Sequence, residues 1–597
     1  MLQAGEIVYR HGSTRAYPCC DMAPGFLKFP KIVLGAGENL TTGVRQPWGV
    51  GVTKAICAHA MLLWRRTDVD AARDYSRNKM PQKSTLEQGC IHRHLGRTMQ
   101  GGDRHGNLGT FLQHVRWTML DLVIRGGLVV TPEVVGERDI GIQQGSIAVL
   151  GAPGTLPTDT AQVIEAQGLI VLPGGIEPHA HIGIPVPEHW AGRPEVMTQP
   201  PEAASRAAAF GGVTTVIDFA GNLNPPLDGG ALPQSIPEEI ESRREVFRGH
   251  AYTDFAFHYI LAGRVAVETL GQIAEAVQEG VASFKIFTTF PGLRVPYGHL
   301  WAVFAEVAKH GGIMAVHAEE DDIVDYMTDK LLREGHAQGH NLHLVHNNLS
   351  EDLAFRKIIR LARHTETGVY FVHTTAKEGV AAMAEARQQG QPVYGEALHN
   401  YLEFTCEDYK KPGGTAIHTY PAIKFADDRD ALLAGLMDGR LCTTATDEYT
   451  TYKGVKLSGN TIETVCGGHN GIETRLPVAF TKFVAQRQMS LQRFAAITST
   501  NAAKILGLYP QKGVIAPGSD ADLVLIDPHL HKTITLADLH ADADYSIWEG
   551  FRCQGYPVMT ILRGQVIVDH GRLVRSSTVG QWLKRRVAPD VLARPVV

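Results

Sequence analysis

Six polar residues in the middle of the chain are of the types that bind divalent metal ions. Imidazoles and a carboxylate suit zinc or a similar ion, and two such ions about 3.5–4 Å apart can share a hydroxide and lower its pKa toward neutral. The set therefore predicts a centre for metal-assisted hydrolysis. It consists of four histidines, one lysine and one aspartate, namely His179, His181, His317, His373, Lys285 and Asp447.

Lys285 lies inside the apolar run Ala282-Ser-Phe-Lys-Ile-Phe287, where an unpaired ammonium group is costly. A cationic ammonium group cannot ligate a metal ion. Reaction with CO2 would convert the amine into an anionic carbamate, whose two oxygens can bridge two ions and neutralise charge between them. If this N6-carboxylation of Lys285 takes place, the costliest residue of the strand becomes a ligand, and the set then suits two divalent ions, with Zn2+ as the expected metal.

Short strand-like runs alternate with helix-like segments between residues 173 and 501, which is the pattern of a parallel sheet. Eight such strands predict an α/β fold, a (β/α)8 barrel of the TIM type, with its active site at the carboxyl ends of the strands. The six polar residues fall at or near those ends, and a period of two puts His179 and His181 on one side of the first strand. The expected strands are Ile176–His181, Val213–Phe219, Asp254–Leu261, Ala282–Thr288, Gly312–His317, Gly368–His373, Pro392–Glu396 and Leu441–Asp447.

Strand-like segments flank the predicted barrel on both sides. They occupy residues 119–172 and return after the helix-like Leu491–Leu506, so we expect both ends to pair into a small β-sandwich domain. The later runs are Ala521–Ile526, Val558–Leu562 and Gln565–Asp569. The predicted division is 1–118, a basic extension of unknown fold; 119–172 and 502–575, the two parts of the sandwich; 173–501, the barrel; and 576–597, a C-terminal tail.

The 597 residues include 57 basic and 62 acidic ones, and the net charge of −5 argues against nucleic acid as a partner. Residues 1–118 differ, because they contain 16 basic and 8 acidic residues and show no sustained periodicity. We expect this segment to be translated from a misplaced start codon, with the enzyme beginning at Met119. A genuine basic extension is the alternative.

Composition also bears on location. No apolar run reaches the roughly 18–20 residues that cross a bilayer, and the start lacks a secretory pattern. The eight cysteines form no CxxC pair, so neither a zinc ribbon nor a disulfide framework is indicated. We therefore expect a cytoplasmic protein without a membrane partner.

Several local motifs occur in a fixed order along the chain. They are Leu172-Pro-Gly-Gly-Ile-Glu-Pro-His-Ala-His181, Ala207-Ala-Ala-Phe-Gly-Gly-Val-Thr-Thr215, Ser283-Phe-Lys-Ile-Phe287, Ala315-Val-His-Ala-Glu319, Gly471-Ile-Glu-Thr-Arg475 and Gly518-Ser-Asp-Ala-Asp-Leu-Val524. With these motifs the chain resembles the amidohydrolase superfamily, and within it the dihydropyrimidinase and hydantoinase group of cyclic amidases, over residues 119–573.

The resemblance implies a role for each of the six polar residues. His179, His181, carboxylated Lys285 and Asp447 would hold the first metal ion. The same lysine would hold the second ion together with His317 and His373, and a hydroxide would bridge the two ions. Asp447 would act as general acid–base, taking a proton from the hydroxide and passing it to the departing amide nitrogen. Relatives of this kind also imply a homotetramer or a homodimer.

Some positions depart from the pattern of the group. Relatives usually have a tyrosine that helps to hold the developing oxyanion where this chain has Phe290, and phenylalanine has no donor. Thr288 or Thr289 would replace this contact. Further candidate substrate-binding residues lie in loops whose sequence differs from that of the group, namely His399, Asn400 and Gly467. Gly183 stands where dihydroorotases typically have an arginine, which disfavours orotate chemistry.

The leading hypothesis is a metal-dependent hydrolase that opens a cyclic amide or imide ring, of the hydantoin or dihydropyrimidine kind, in a small-molecule substrate. Two alternatives remain open at this point. One is an amidohydrolase acting on a non-standard or linear amide or ureide. The other is a non-catalytic scaffold of the same fold, which retention of all the expected metal ligands disfavours.

Overall fold

The computed structural model describes residues 120–157, 159, 162–221 and 234–597. The predictions made for residues 1–118 lie outside this part of the chain. The described residues form two β assemblies, a parallel barrel and a mixed sheet to which both ends of the described chain contribute. The predicted (β/α)8 barrel with a second β domain built from both ends is confirmed, and the part that we expected as a small β-sandwich is one mixed sheet in the described residues.

Eight parallel strands pair in chain order around the barrel. Every residue of these strands is buried, because their interior and exterior faces are both covered. They are Gly175–Glu177 (β1), Val213–Ala220 (β2), Asp254–Ile260 (β3), Ser283–Phe287 (β4), Ile313–His317 (β5), Gly368–Phe371 (β6), Val393–Leu398 (β7) and Thr443–Ala445 (β8).

β1 ends at Glu177, two residues before His179, and this corrects the expectation that the two histidines lie on the strand. β6 and β8 likewise end two residues before His373 and Asp447. The chain is already turning at these places, because His373 and Asp447 have φ values of 39° and 52°. A strand pattern in the sequence extends to these residues, although in the structure they belong to the loops that follow the strands.

Side chains close the seam between β1 and β8. Among the described residues these two strands share no ladder, and beyond them only the isolated bridge between Ala180 and Glu448 joins their extensions. The guanidinium of Arg475 spans the gap, donating to the carbonyl oxygens of Ile176 at 2.8 Å and Thr444 at 3.0 Å. The barrel is therefore nearly closed, with a buried arginine in place of backbone pairing.

Helices cover the outside of the barrel and connect its strands. The longer ones carry apolar residues on the face that packs against the strands. The α-helices are Glu188–Ala191, Pro201–Phe210, Ile236–Phe247, Val267–Gly271, Ile273–Glu279, Tyr297–Lys309, Asp321–Arg333, Leu342–Val345, Asn348–Thr365, Lys377–Gln388, Ala426–Asp438, Lys453–Lys456, Arg475–Ala479, Leu491–Ala495, Asn501–Ile505 and Pro589–Ala593. None of the helices in the described ranges has the length and apolar character required for a membrane span.

The mixed sheet joins segments from before and after the barrel. Leu523–Thr533 pairs antiparallel with Ile170–Pro173, which links the two ends. In the described part of the chain the sheet has nine strands. Eight follow the order Arg572–Leu573, Gln565–Asp569, Arg552–Leu562, Leu523–Thr533, Ile170–Pro173, Leu122–Val130, Val135–Gln143 and Ser146–Gly151, and Gln162–Glu165 pairs with Leu122–Val130.

The C-terminal tail lies against the amino-terminal end of the barrel. Leu583, Val587 and Val591 join a buried apolar cluster with inward residues of the strands. The buried guanidinium of Arg585 donates to the carbonyl oxygen of Leu506 at 3.0 Å, to the hydroxyl of Ser283 at 2.8 Å and to the carbonyl oxygen of Phe257. The tail therefore fills the end of the barrel opposite the loops that carry the histidines.

Candidate metal centre

The polar residues predicted from sequence meet at the carboxyl end of the barrel. Lys285 is in the middle of β4 and His317 is the last residue of β5, while the others follow strand ends. Potential ligand atoms of His179, His373 and Asp447 all lie within 4.8 Å of one another. The rings of His317 and His373 are 4.5 Å apart, so His317 belongs to the same cluster.

The nitrogen atoms of two histidines point at one carboxylate oxygen. Oδ1 of Asp447 is 3.1 Å from Nε2 of His179 and 3.2 Å from Nε2 of His181. Nε2 of His179 is buried and makes no hydrogen bond within the described residues, despite its closeness to the carboxylate. Two electron-pair donors that face each other without a proton between them are suited to a shared cation, so these residues fit a metal ion.

Glu396 fixes which nitrogen of His179 carries the proton. Its Oε1 is 2.6 Å from Nδ1 of His179, and both side chains are fully buried. A proton on Nδ1 leaves the lone pair on Nε2 directed at Asp447, as in histidine ligands that are oriented by a carboxylate. Glu319 does the same for His317, with its Oε2 2.9 Å from Nε2.

Lys285 is 1% exposed and its ammonium group lies 4.9 Å from the ring centre of Phe287. Burial lowers the pKa of Lys285 to about 8, despite the opposing effect of the Asp447 and Glu396 carboxylates. A large fraction of the side chain is then a neutral amine near pH 8, and only a neutral amine reacts with CO2. The chemistry required for carboxylation is therefore available at this position.

Asp447 is held in its ionised form. Burial alone would raise the pKa of this carboxyl group, but the protonated rings of His179 and His181 would outweigh it and hold the pKa well below its usual range. A cation bound between neutral rings and the carboxylate acts in the same direction. The second oxygen, Oδ2, accepts a hydrogen bond from the hydroxyl of Thr419 at 3.1 Å. An oriented carboxylate beside the nitrogen cluster can accept a proton from a bound water.

One buried carboxylate positions the loops after both β1 and β8. Oε1 of Glu177 accepts from the backbone N–H of His179 at 3.2 Å and from that of Thr446 at 3.0 Å. Its other oxygen lies 3.0 Å from Nε of Arg475, the residue that spans the seam. Burial raises the pKa of Glu177 to about 7, although Arg475 opposes this shift. The seam and the backbone next to Asp447 are therefore built around the same carboxylate.

The predicted substrate-binding threonines have other partners. The hydroxyl of Thr288 donates to the carbonyl oxygen of Glu319 at 2.7 Å, and that of Thr289 donates to Asp321 at 2.8 Å. These bonds tie the end of β4 to the loop after β5. The contacts leave neither hydroxyl directed at a ligand, and their substrate role remains a prediction.

Of the other predicted substrate residues, His399 and Asn400 bond to protein groups and Gly467 lies against an aromatic ring. His399 is buried, and its Nε2 accepts from Nε1 of Trp548 at 2.9 Å, while the side-chain amide of Asn400 donates to the carbonyl oxygen of Ile417 at 3.3 Å. Gly467 lies beside Tyr420, and a Cβ atom at this position would be 2.5 Å from Cδ2 of that ring. Gly467 thus leaves room for an aromatic side chain.

Aromatic rings form a wall next to the histidine cluster. Phe290 lies 4.9 Å from the ring of His317 and 5.6 Å from that of Tyr420, which stacks on Trp190 at 5.4 Å. We call Trp190, Phe290 and Tyr420 the aromatic wall. The hydroxyl of Tyr420 donates to the carbonyl oxygen of Val465 at 3.2 Å. The wall therefore presents flat apolar surface toward the predicted metal centre.

Sequence reasoning assigned no role to Glu177, Glu319, Glu396, Thr419 or Arg475. A signal was present for two of them, because Glu177 and Glu396 are charged residues inside buried strands, where an unpaired charge is costly. Thr419 carries no comparable signal, since a threonine in a loop is ordinary.

Comparisons with known proteins agree with this geometry. The model of the Amidohydrolase family matches residues 170–567. The D-hydantoinase of Geobacillus stearothermophilus is 32% identical over 470 residues, which are 78% of this chain and 96% of the relative. The dihydropyrimidinase of Rattus norvegicus is 31% identical over 492 residues, which are 80% of this chain and 91% of the relative.

Solved structures give the same result. The crystal structure of dihydropyrimidinase from Brevibacillus agri superposes with a TM-score of 0.72 at 30% sequence identity, covering 78% of this chain and 98% of that one. Family model, relatives and fold all coincide with the region that carries the histidine cluster. The chain thus belongs to the amidohydrolase family, in the group of the D-hydantoinases and dihydropyrimidinases, whose members are hydrolases of cyclic amides.

Proposed function

We propose that the six clustered residues hold two divalent ions and that the enzyme uses them to open a hydantoin or dihydropyrimidine ring. His179, His181 and Asp447 would hold one ion and His317 and His373 the other. Lys285, carboxylated by CO2, would serve both, and Zn2+ is the proposed metal. The observation that carries this proposal is the approach of Nε2 of His179 to Oδ1 of Asp447 at 3.1 Å without a hydrogen bond.

Bound ions would lower the pKa of a water molecule and polarise the carbonyl group of the substrate. The chain itself supplies proton transfer through Asp447. Its carboxylate is ionised, and Thr419 fixes Oδ2 while Oδ1 faces the histidines. Asp447 would accept the proton of the attacking water and deliver it to the ring nitrogen as the C–N bond breaks.

The proposed substrate is a small cyclic amide with an apolar substituent. The relatives are named for hydantoins and dihydropyrimidines, and some for phenylhydantoin. The aromatic wall supports an apolar substituent, because stacked rings such as Trp190 and Tyr420 favour flat groups beside them. The product would be an N-carbamoyl amino acid.

A substrate panel on metal-loaded protein tests the proposal. We expect about two divalent ions per chain by emission spectroscopy and ring opening of 5-phenylhydantoin, hydantoin or dihydrouracil, followed by the release of the N-carbamoyl product. Linear ureides belong in the same panel. If the enzyme hydrolyses only these, its substrate is a linear amide and the proposed cyclic substrate is wrong. Failure on all compounds with two ions bound would refute the function. Light scattering on the same preparation tests the predicted homotetramer or homodimer.

A further inference from the structure

A buried lysine outside the predicted ligand set joins two loops next to the aromatic wall. The ammonium group of Lys456 donates to the carbonyl oxygens of His418 at 2.7 Å and Cys466 at 2.6 Å, and to that of Gly468. Lys456 is fully buried, and its three N–H donors match these three acceptors. Burial lowers the pKa of Lys456 to about 8, so the charged form is the main one at pH 7. The ammonium group therefore ties together two segments that are far apart in sequence.

The two segments enclose Tyr420 of the aromatic wall. On one side, the ring of His418 is 4.4 Å from that of Tyr420. On the other side, the hydroxyl of Tyr420 donates to the carbonyl oxygen of Val465 at 3.2 Å, and Gly467 leaves room for the ring. Because Lys456 bonds to both segments, it fixes the space between them in which Tyr420 lies.

The helix that ends at Lys456 is also linked to a second ring of the wall. The hydroxyl of Ser458, just after this helix, donates to the carbonyl oxygen of Trp190 at 2.5 Å. The ring of Trp190 in turn stacks on that of Tyr420, with 5.4 Å between the ring centres. The same short stretch of chain therefore supports both stacked rings of the wall.

We propose that Lys456 is a positioning residue that sets the shape of the substrate pocket, by holding Tyr420 and Trp190 where they contact an apolar substituent of the substrate. This inference rests on the proposed function. The three hydrogen bonds of the ammonium group end on backbone carbonyl oxygens, so Lys456 acts on the substrate through the wall. Without the ammonium group, three buried acceptors would lose their donor and the two segments would no longer be held together.

A general stabilising role would look different. If Lys456 only stabilised the fold, its removal would reduce activity on all substrates alike. If Lys456 positions the wall, the loss falls on substrates with an aromatic substituent and appears in KM, because contacts that bind substrate and transition state equally are weakened. Unsubstituted hydantoin undergoes the same ring opening without a substituent, so it serves as the internal reference.

The experiment compares the full-length, metal-loaded unchanged chain with Lys456→Ala on 5-phenylhydantoin and on hydantoin. We expect KM for 5-phenylhydantoin to rise about tenfold, with KM for hydantoin and metal content unchanged. Added n-propylammonium, which matches the deleted part of the side chain, should restore most of the lost KM. Added 1-propanol, which has a similar size but one donor and no charge, should not. Lys456→Gln keeps two N–H donors, should show a smaller rise in KM, and serves if the alanine variant does not fold.

Lys453→Ala is the matched control. It removes an exposed lysine of the same helix, and we expect both KM values within about twofold of those of the unchanged chain. Four results would overturn the proposal: a KM of Lys456→Ala for 5-phenylhydantoin within about twofold of the unchanged value, an equal rise for both hydantoins, a loss of metal in step with activity, or no greater recovery with n-propylammonium than with 1-propanol.

A failure of the proposed function is distinguishable from a failure of this inference. If the unchanged chain opens no ring, the function is refuted, and calorimetric binding of the two hydantoins then decides on Lys456. Binding of 5-phenylhydantoin about tenfold weaker in Lys456→Ala, at unchanged affinity for hydantoin, would support the positioning role. Equal affinities of the two proteins for 5-phenylhydantoin, or no binding of it by the unchanged chain, would overturn that role.

Discussion

The two ends of the barrel differ in what surrounds their buried polar groups. At the carboxyl end, Nε2 of His179 and Nδ1 of His181 are buried without a hydrogen-bond partner in the described chain, and His373 and Asp447 have left-handed φ values. At the amino end, the tail packs apolar side chains into the strands, and Arg585 donates to three oxygens.

This difference shows where the fold tolerates a cost. Unpaired buried nitrogens and strained backbone each cost free energy, and they persist where a bound group or a reaction requires them. Close apolar packing at the other end offsets that cost. Changes at the carboxyl end should therefore affect metal binding and activity more than stability, and changes at the amino end should do the reverse.

The largest expected effect is that of Lys285→Ala. Removing the amine removes the proposed carbamate bridge, so both ions should be lost and activity should fall on the order of 10⁴-fold or more. Emission spectroscopy and hydantoin turnover measure the two effects. A variant that keeps two ions and full activity would contradict the proposed role of Lys285.

Glu177→Gln should have a smaller effect. The amide keeps the shape and one acceptor oxygen for the backbone N–H groups of His179 and Thr446, but it removes the negative charge and turns an NH2 group toward the guanidinium of Arg475. We expect metal affinity or activity to fall about 10–100-fold, as for other groups that orient metal ligands.

Glu165→Gln is the control for that variant. Glu165 pairs with Arg125 in an exposed ion pair on the mixed sheet, so its replacement should leave activity unchanged and stability nearly so. If Glu177→Gln and Glu165→Gln lowered activity equally, the buried pair with Arg475 would have no special role in the site.

A pH effect of moderate size is expected for activation of metal-free protein by CO2 and Zn2+. Burial lowers the pKa of Lys285 to about 8, so the reactive neutral amine is the main form above this pH and becomes scarce below it. At constant dissolved CO2, the activation rate should fall about fivefold from pH 8 to pH 7. Protein that is already loaded should not show this dependence, and a flat activation profile would count against carboxylation.

The smallest effect on the site is expected from Arg585→Ala at the opposite end of the barrel. Three buried oxygens lose their donor and a cavity remains, so unfolding should become easier by about 2–4 kcal/mol. Thermal or urea unfolding measures this, while metal content and kcat of the folded protein should stay unchanged. Arg586→Ala, at an exposed neighbouring position, is the control and should leave stability unaltered. Loss of metal in Arg585→Ala would show that the two ends are coupled.

The barrel was predictable because its signals are local. Alternating strand and helix patterns gave eight strands near their observed places, and Val213–Ala220 and Ile313–His317 agree with the expected ranges within one residue. The six clustered residues were also predictable, since histidine, lysine and aspartate near strand ends are unusual in buried segments. Their proposed roles as metal ligands rest on the experiments above.

The groups that orient those residues were not predictable, because their pairing depends on contacts far apart in sequence. Glu396 and His179 are separated by 217 residues, and only the closed barrel brings them within 2.6 Å. Glu319 and His346 lie on either side of a helix, Asp321–Arg333, whose packing decides that they meet. A periodic pattern describes which face a residue occupies, and it carries no information on such partners.

The close packing of Gly467 against Tyr420 has a consequence for how this protein can diverge. Any side chain at residue 467 would collide with the ring, since the added Cβ atom lies 2.5 Å from Cδ2. A lineage could therefore gain a side chain at residue 467 only after a smaller residue had replaced Tyr420. The two positions form an ordered pair of evolutionary steps, and in the relatives of this chain they should vary together.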